Sequence, residues 1–338
     1  MNDLNNILKV WSVEFAAEEP SIEIEGSSER TTARTVVRDA GGGRWILEQI
    51  KSDHLSRKKQ IAEQLGALSG LQQIHPYLKT ADGSFFVDYH MLRPFVDGIA
   101  LDRETYLNDS WRIDSMADFL IGLRDKTATP PGLPPSPRFG GTGRFPLRGK
   151  GTGEIPSRGG VREAGGGFFS ITAYAEGRMA VWRKRHSELA QKLEPSFSKL
   201  KQNFFPVHDR LPVAFCHGDY HPLNMVWGEG RICSVIDWEF CGMKPELYDV
   251  ALLLGCFGFD DPDNLIKEPA IRLVKKLRGS GFGDAVSWAY LLDLMAAIRW
   301  GWMSEWIRRS ETEAQEMEAL YIDILIDQKE YILETWDM

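Results

Sequence analysis

The chain has 338 residues, 43% of them hydrophobic and 26% charged, and 40 basic against 48 acidic side chains leave a formal net charge of −8. That length suffices for two lobes with substantial cores, and the acidic balance argues against nucleic acid as a generic partner. No run of about 18 apolar residues exists to span a membrane, and the opening Met1-Asn2-Asp3-Leu4-Asn5-Asn6 lacks the basic start and apolar stretch of a secretion signal, so a cytoplasmic protein is expected.

The N-terminal part alternates and turns like an antiparallel sheet. Ser21 to Glu25 reads as a strand, followed by a polar turn from Gly26 through Ser27 and Ser28 to Thr31. A strand over Thr32 to Val37, a glycine turn at Gly41-Gly42-Gly43 and a strand over Arg44 to Ile50 follow. Ser52 or Asp53 caps a helix reaching about Ser69, with Leu55, Ala62, Leu65 and Leu68 near one face. Two further strands are expected at Tyr77 to Thr80 and Ser84 to Met91, joined at Asp82-Gly83; Leu92-Arg93-Pro94-Phe95-Val96-Asp97-Gly98 comes next.

Ser110 to Ala128 is an amphipathic helix through Trp111, Met116, Phe119, Leu120 and Leu123. From 130 to 167 the composition collapses: 19 of 38 residues are Gly or Pro, and six basic side chains face two acidic ones, a local charge of +4 that leaves −12 on the rest. Such a stretch reads as a disordered insertion. Four cysteines, Cys216, Cys233, Cys241 and Cys256, match no zinc spacing and have apolar neighbours, which suits reduced thiols in or near a core.

The segment that decides the function is His217-Gly218-Asp219-Tyr220-His221-Pro222-Leu223-Asn224, a strand and short turn, then Ile236-Asp237-Trp238-Glu239. Asp219 on a tight loop, Asn224 at a strand start and Asp237 at the close of the next strand put three oxygen-bearing side chains at one end of a hairpin. Phosphoryl transfer from a nucleotide needs such a set: a carboxylate to accept the acceptor hydroxyl's proton, and oxygen ligands for magnesium, which takes few protein ligands.

These residues resemble the aminoglycoside phosphotransferase and choline kinase superfamily. His217-Gly218-Asp219 with Asn224 is similar to its H-G-D-x-x-x-x-N catalytic loop, Ile236-Asp237-Trp238-Glu239 to its I-D-[FW]-E metal segment, and Tyr248-Asp249-Val250-Ala251 to its Y/F-D-[LVI]-A helix start. The resemblance implies a two-lobed, protein-kinase-like α+β fold with an N-terminal antiparallel sheet and helix (1–96) and a larger, mainly helical C-terminal lobe (97–338). It implies ATP or another NTP and Mg2+ as cofactors and a small-molecule hydroxyl acceptor. Asp219 becomes the base, Asn224 and Asp237 the metal ligands, and His217 and Asp249 supports of the loop. The turn at Gly26, Ser27 and Ser28 covers the nucleotide phosphates, and the backbone of Arg93, Pro94 and Phe95 meets the adenine edge. Beyond Asp249, helices are expected at Asp284 to Arg309 and Glu311 to Trp336. The resemblance assigns Glu239, Trp302 and Trp306 to the acceptor pocket; Trp302 and Trp306 share a helical face, a spacing at which aromatics are more often core.

One position departs from the pattern. Where kinases carry a phosphate-holding strand Lys paired with a helix Glu, this chain has Glu48. Lys51, at the strand end, and Arg34, Lys58 or Lys59 are the replacement cations within reach of sequence reasoning. Glu48 also motivates an alternative, a non-catalytic, pseudokinase-like nucleotide-binding module.

Overall fold

The computed structural model describes residues 2–22, 24, 30–128 and 170–337. The turn at Gly26, Ser27 and Ser28 and the insertion at 130–167 lie outside them. In chain order the elements are α1 (Asn2–Lys9), β1 (Phe15–Glu18), β2 (Thr31–Asp39), β3 (Arg44–Ile50), α2 (Leu55–Ala67), β4 (His90–Pro94), α3 (Ser110–Ala128), α4 (Ile171–Arg185), α5 (Ser187–Asn203) and α6 (Phe205–His208). There follow β5 (Val213–Cys216), β6 (Met225–Gly228), β7 (Arg231–Val235), β8 (Gly242–Pro245), α7 (Tyr248–Asp260), α8 (Glu268–Gly279), α9 (Ala285–Ala289), α10 (Leu291–Arg309), α11 (Thr312–Asp327) and α12 (Lys329–Thr335). The architecture is mixed α+β, an N-terminal antiparallel sheet and a helical C-terminal part. No helix among the described residues is long and apolar enough to cross a membrane.

The chain divides into two compact units, Met1–Arg103 with Leu223–Glu239, and Glu104–Pro222 with Phe240–Met338. A single boundary after Val96 would leave the β6–β7 hairpin with the C-terminal lobe. Main-chain bonds instead tie it to the N-terminal unit: Ile99 N–H donates to Trp227 O (2.8 Å) and Val235 N–H to Gln73 O (3.0 Å). Gly98 permits this approach, because a Cβ there would meet Val226 Cγ1 at 2.5 Å.

In the first unit four strands run in the order β1-β2-β3-β4, every neighbour antiparallel. The turn expected at Gly41 to Gly43 joins β2 to β3; Asp39 stitches it by accepting from Gly43 N–H and the Trp45 indole (2.7 and 2.8 Å). Alternation along β3 sends Leu47 into a core with Leu8, Trp11, Val13, Val37 and Leu92, each such side chain contributing about 1.5–3 kcal/mol by burial. Ile46, Glu48 and Ile50 are buried on the opposite face.

Two strand expectations are corrected. The partner of β2 at the sheet edge is Phe15–Glu18, not Ser21 to Glu25, where the Ile22 N–H turns back onto Glu19 O and Glu23 and Glu25 lie outside the described residues. The two strands expected between Tyr77 and Met91 reduce to β4: side-chain bonds among Thr80, Asp82 and Ser84 hold a turn, and Asp88 and Tyr89 at φ +45° and +68° bend the chain just before His90.

The second unit is built on helices. α10 packs against α11, α7 and α4, and α7 is buried along most of its length. The two long helices expected at the C-terminus are each broken in two, at Tyr290 and at Gln328, with Ser310 in the left-handed region between them. Asp284 does cap the first of these segments, accepting from Ser287 N–H at 2.7 Å.

Candidate active site

In the second unit β5 delivers the chain into His217-Gly218-Asp219. Gly218 has φ +84°, and a Cβ there would overlap the Phe240 carbonyl oxygen and press on Lys244 Cε at 2.8 Å, so only glycine fits this turn. The loop backbone is pinned by Asp249 in the first turn of α7: its carboxylate, 3% exposed, accepts from His217 N–H at 2.7 Å and Gly218 N–H at 2.8 Å. Burial raises the Asp249 carboxyl above its ordinary value, opposed by His217 and by these N–H donors. His217 is itself fully buried, and its Nδ1 accepts from Asp219 N–H at 3.2 Å. Asp219 keeps about a quarter of its side chain exposed, 3.6 Å from His221 Nε2. Its neighbour Tyr220 anchors the loop inward through a hydroxyl bond to Met116 O (2.9 Å).

The first unit holds the other half of the motif. Asn224 ends a short 3-10 turn, Pro222–Asn224, immediately before β6, and Asp237 follows β7 at φ +60°. Ile236 N–H donates to Asn224 O at 2.9 Å, so Asn224 and Asp237 stand at the same end of the hairpin. An amide oxygen and a carboxylate are hard donors, the chemistry that suits Mg2+ or Ca2+ when phosphates and water complete the shell. The left-handed backbone at Asp237 is a conformation few non-glycine residues adopt, and such conformations concentrate at functional sites.

Glu48 lies within this same unit, 1% exposed, and is surrounded by positive charge. Arg34, directly opposite it on β2, donates from Nε (3.3 Å); Arg93 on β4 donates from Nε and approaches with Nη2 (both 3.2 Å); Lys58 Nζ on α2 lies 3.7 Å away; and the Tyr77 hydroxyl donates at 2.9 Å. Burial alone would raise the Glu48 carboxyl, but the charges of Lys58, Arg93 and Arg34 and the Tyr77 bond outweigh it and hold the group well below the carboxylate range. Tyr77 is pushed up to about 12 by burial and by Glu48. Burial works against the Lys58 ammonium, and Tyr77, Glu48 and Glu239 more than offset that, so Lys58 stays charged.

Glu239 is drawn into this cluster: its carboxylate pairs with Lys58 and with Arg30 (3.5 Å), and its carbonyl oxygen accepts two bonds from Arg57 (2.7 and 3.2 Å). Phe95 N–H donates to Arg44 O (2.9 Å) and Pro94 has no N–H to donate. Lys51 uses its N–H on Arg30 O (3.1 Å). In the second unit Trp302 and Trp306 stack at 6.0 Å; the Trp306 indole donates to Glu318 (2.9 Å), and Arg299, itself paired with Glu318, lies over the rings of Phe259 (4.7 Å), Tyr321 (5.2 Å) and Trp302 (5.5 Å). Trp300 is fully buried. The sequence reading missed the Arg93 side chain, Tyr77 and Arg30 as members of the Glu48 and Glu239 cluster; the strand register sets Arg34 opposite and Arg93 diagonal to Glu48, and Tyr77 and Arg30 join from outside the strands.

The fold is that of known small-molecule kinases. An aminoglycoside phosphotransferase from Alicyclobacillus acidocaldarius superposes with TM-score 0.57 at 11% identity, covering 97% of this chain and 96% of its own. An amicoumacin kinase in complex with AMP-PNP, Ca2+ and Ami gives 0.57 at 14%, covering 96% and 94%, and a choline/ethanolamine kinase family protein from Mesorhizobium loti gives 0.55 at 14%, covering 99% of each chain. No curated protein matches the sequence. Residues 23–273 match the phosphotransferase enzyme family, and the chain belongs to that family.

Proposed function

We propose that the protein transfers the γ-phosphoryl group of ATP, or another NTP, to a hydroxyl of a small molecule: an amino alcohol, a sugar, or a homoserine-like or aminoglycoside-like acceptor. The observation that carries this reading is the catalytic loop, where Asp249 fixes the backbone around Gly218 so that Asp219 presents a partly exposed carboxylate. In this mechanism Asp219 accepts the proton of the acceptor hydroxyl as that oxygen attacks in line, a contribution of about 10²–10⁴ in rate. Asn224 and Asp237 hold Mg2+, which when bound would neutralise charge on the phosphates. The amicoumacin kinase of the same fold, solved with AMP-PNP and Ca2+, supports nucleotide and divalent-cation use.

The non-catalytic alternative rested on the carboxylate of Glu48 repelling phosphates. That charge is met by Lys58, Arg34 and Arg93, so no observation favours the alternative. The test is ADP release over a panel of hydroxyl metabolites with MgATP. One acceptor class is expected to stimulate release strongly in the wild type and not in Asp219→Asn; a variant that turns over at the wild-type rate refutes the assigned base.

A further inference from the structure

Kinases hold the α and β phosphates with a strand Lys that a helix Glu keeps in place. Here the polarity of that pair is reversed: the carboxylate, Glu48, is on β3, and the ammonium, Lys58, is on α2. We propose that Lys58 is the cation that binds the nucleotide phosphates, with Glu48 and Glu239 as its positioning residues. The inference rests on the nucleotide-dependent reading above.

Three observations support it. First, Lys58 is tied to the metal-binding segment, since Glu239, which it grips, lies two residues beyond Asp237. Arg93, which shares Glu48 with it, also feels the charge of Asp237. The cation therefore belongs to the same cluster as the candidate metal anchor. Second, an ammonium has three N–H donors; Glu239 accepts one and Glu48, at 3.7 Å, pairs by charge from beyond hydrogen-bond distance, so the ammonium has donor capacity for a phosphate oxygen. Third, the surroundings are built for the reversed polarity. Arg34 and Arg93 flank the strand position, where a Lys would be repelled, and Glu239 flanks the helix position, where a Glu would be repelled.

The experiment is titration of the purified full chain with MgATP and, separately, with adenosine, which lacks phosphates, for the wild type, Lys58→Gln and Lys58→Arg. Lys58→Gln is expected to weaken MgATP roughly 10- to 100-fold while leaving adenosine unchanged, the loss of one charge-assisted bond, and Lys58→Arg to recover most of the affinity. A Lys58→Gln protein that melts cooperatively and binds MgATP like the wild type overturns the assignment. Should that variant not fold, an acyl phosphate of ATP decides on the wild type: the ammonium first gives a proton to water, the amine nitrogen attacks the acyl carbon, the acyl–oxygen bond breaks so that ATP leaves, and loss of a second proton to water completes the amide. Acylation of Lys58 suppressed by free ATP supports the proposal, and acylation at Lys51 or Lys59 instead overturns it. Because both readouts need no acceptor, a failed acceptor screen leaves them standing; a wild type that binds no nucleotide removes the underlying reading itself.

Discussion

Each unit of this protein buries one carboxylate beside its share of the candidate catalytic motif, and the two are satisfied in opposite ways. Asp249 is met by His217 and by neutral backbone donors, the N–H groups of His217 and Gly218. Glu48 is met by full charges on side chains from three different elements, plus a tyrosine hydroxyl. A carboxylate held by main-chain N–H groups can lose its charge and still accept those bonds; one that neutralises cations cannot, because removing it leaves buried charges without a counterion.

Neutralising substitutions that keep the shape test this difference. Glu48→Gln should cost the most, about 3–5 kcal/mol in urea unfolding, because Lys58 and Arg93 are left uncompensated. A cost under about 1 kcal/mol would mean that the cations are solvated and the cluster is not a unit. Gly218→Ala follows at about 3 kcal/mol, from the left-handed backbone and the overlap with the Phe240 carbonyl. Asp249→Asn should cost about 2 kcal/mol, since His217 N–H and Gly218 N–H bond different carboxylate oxygens and the amide keeps an acceptor for only one of them; equal costs for the Glu48 and Asp249 variants would erase the contrast.

The pH dependence carries opposite signs. The folded-state value of Glu48 is depressed, so its stabilisation is full above the unfolded value of 4.5 and drains as pH falls below it. The gap between wild type and Glu48→Gln should therefore narrow on acidification. The folded-state value of Asp249 is raised above 3.8, so its ionisation costs stability as pH rises through the folded value, and the gap between wild type and Asp249→Asn should narrow instead as pH increases. Melting curves from pH 3 to pH 8 read both trends, and parallel shifts would contradict the account. The smallest effect, about 1 kcal/mol, is expected for Trp306→Phe, which loses the indole bond to Glu318 while Arg299 continues to satisfy that carboxylate.

The same contrast explains what the sequence disclosed. The candidate catalytic loop could be singled out because its parts are local: Gly218 must be glycine, Asp219 and Asn224 are five residues apart, and Asp249 meets backbone partners at a fixed spacing along the chain. The helix over Ser110 to Ala128 and the strand from Arg44 to Ile50 were legible from periodicity. The Glu48 cluster could not be read in full, since its members at 34, 58, 77 and 93 meet only after strand pairing and helix packing. The strand at Phe15–Glu18 was missed because its four residues are too few for alternation to register, and the breaks at Tyr290 and Gln328 carry no Gly or Pro to announce them.

The central claim is that Asp219 does the proton chemistry while Asn224 and Asp237 hold the metal, and it is tested most directly by measuring MgATP affinity and acceptor phosphorylation on the same preparations of Asp219→Asn and Asp237→Asn. Asp219→Asn should bind MgATP like the wild type and lose turnover by about 10²–10⁴, whereas Asp237→Asn should lose the dependence of ATP affinity on magnesium. Undiminished phosphoryl transfer by Asp219→Asn, or magnesium-dependent binding that survives intact in Asp237→Asn, would contradict the account.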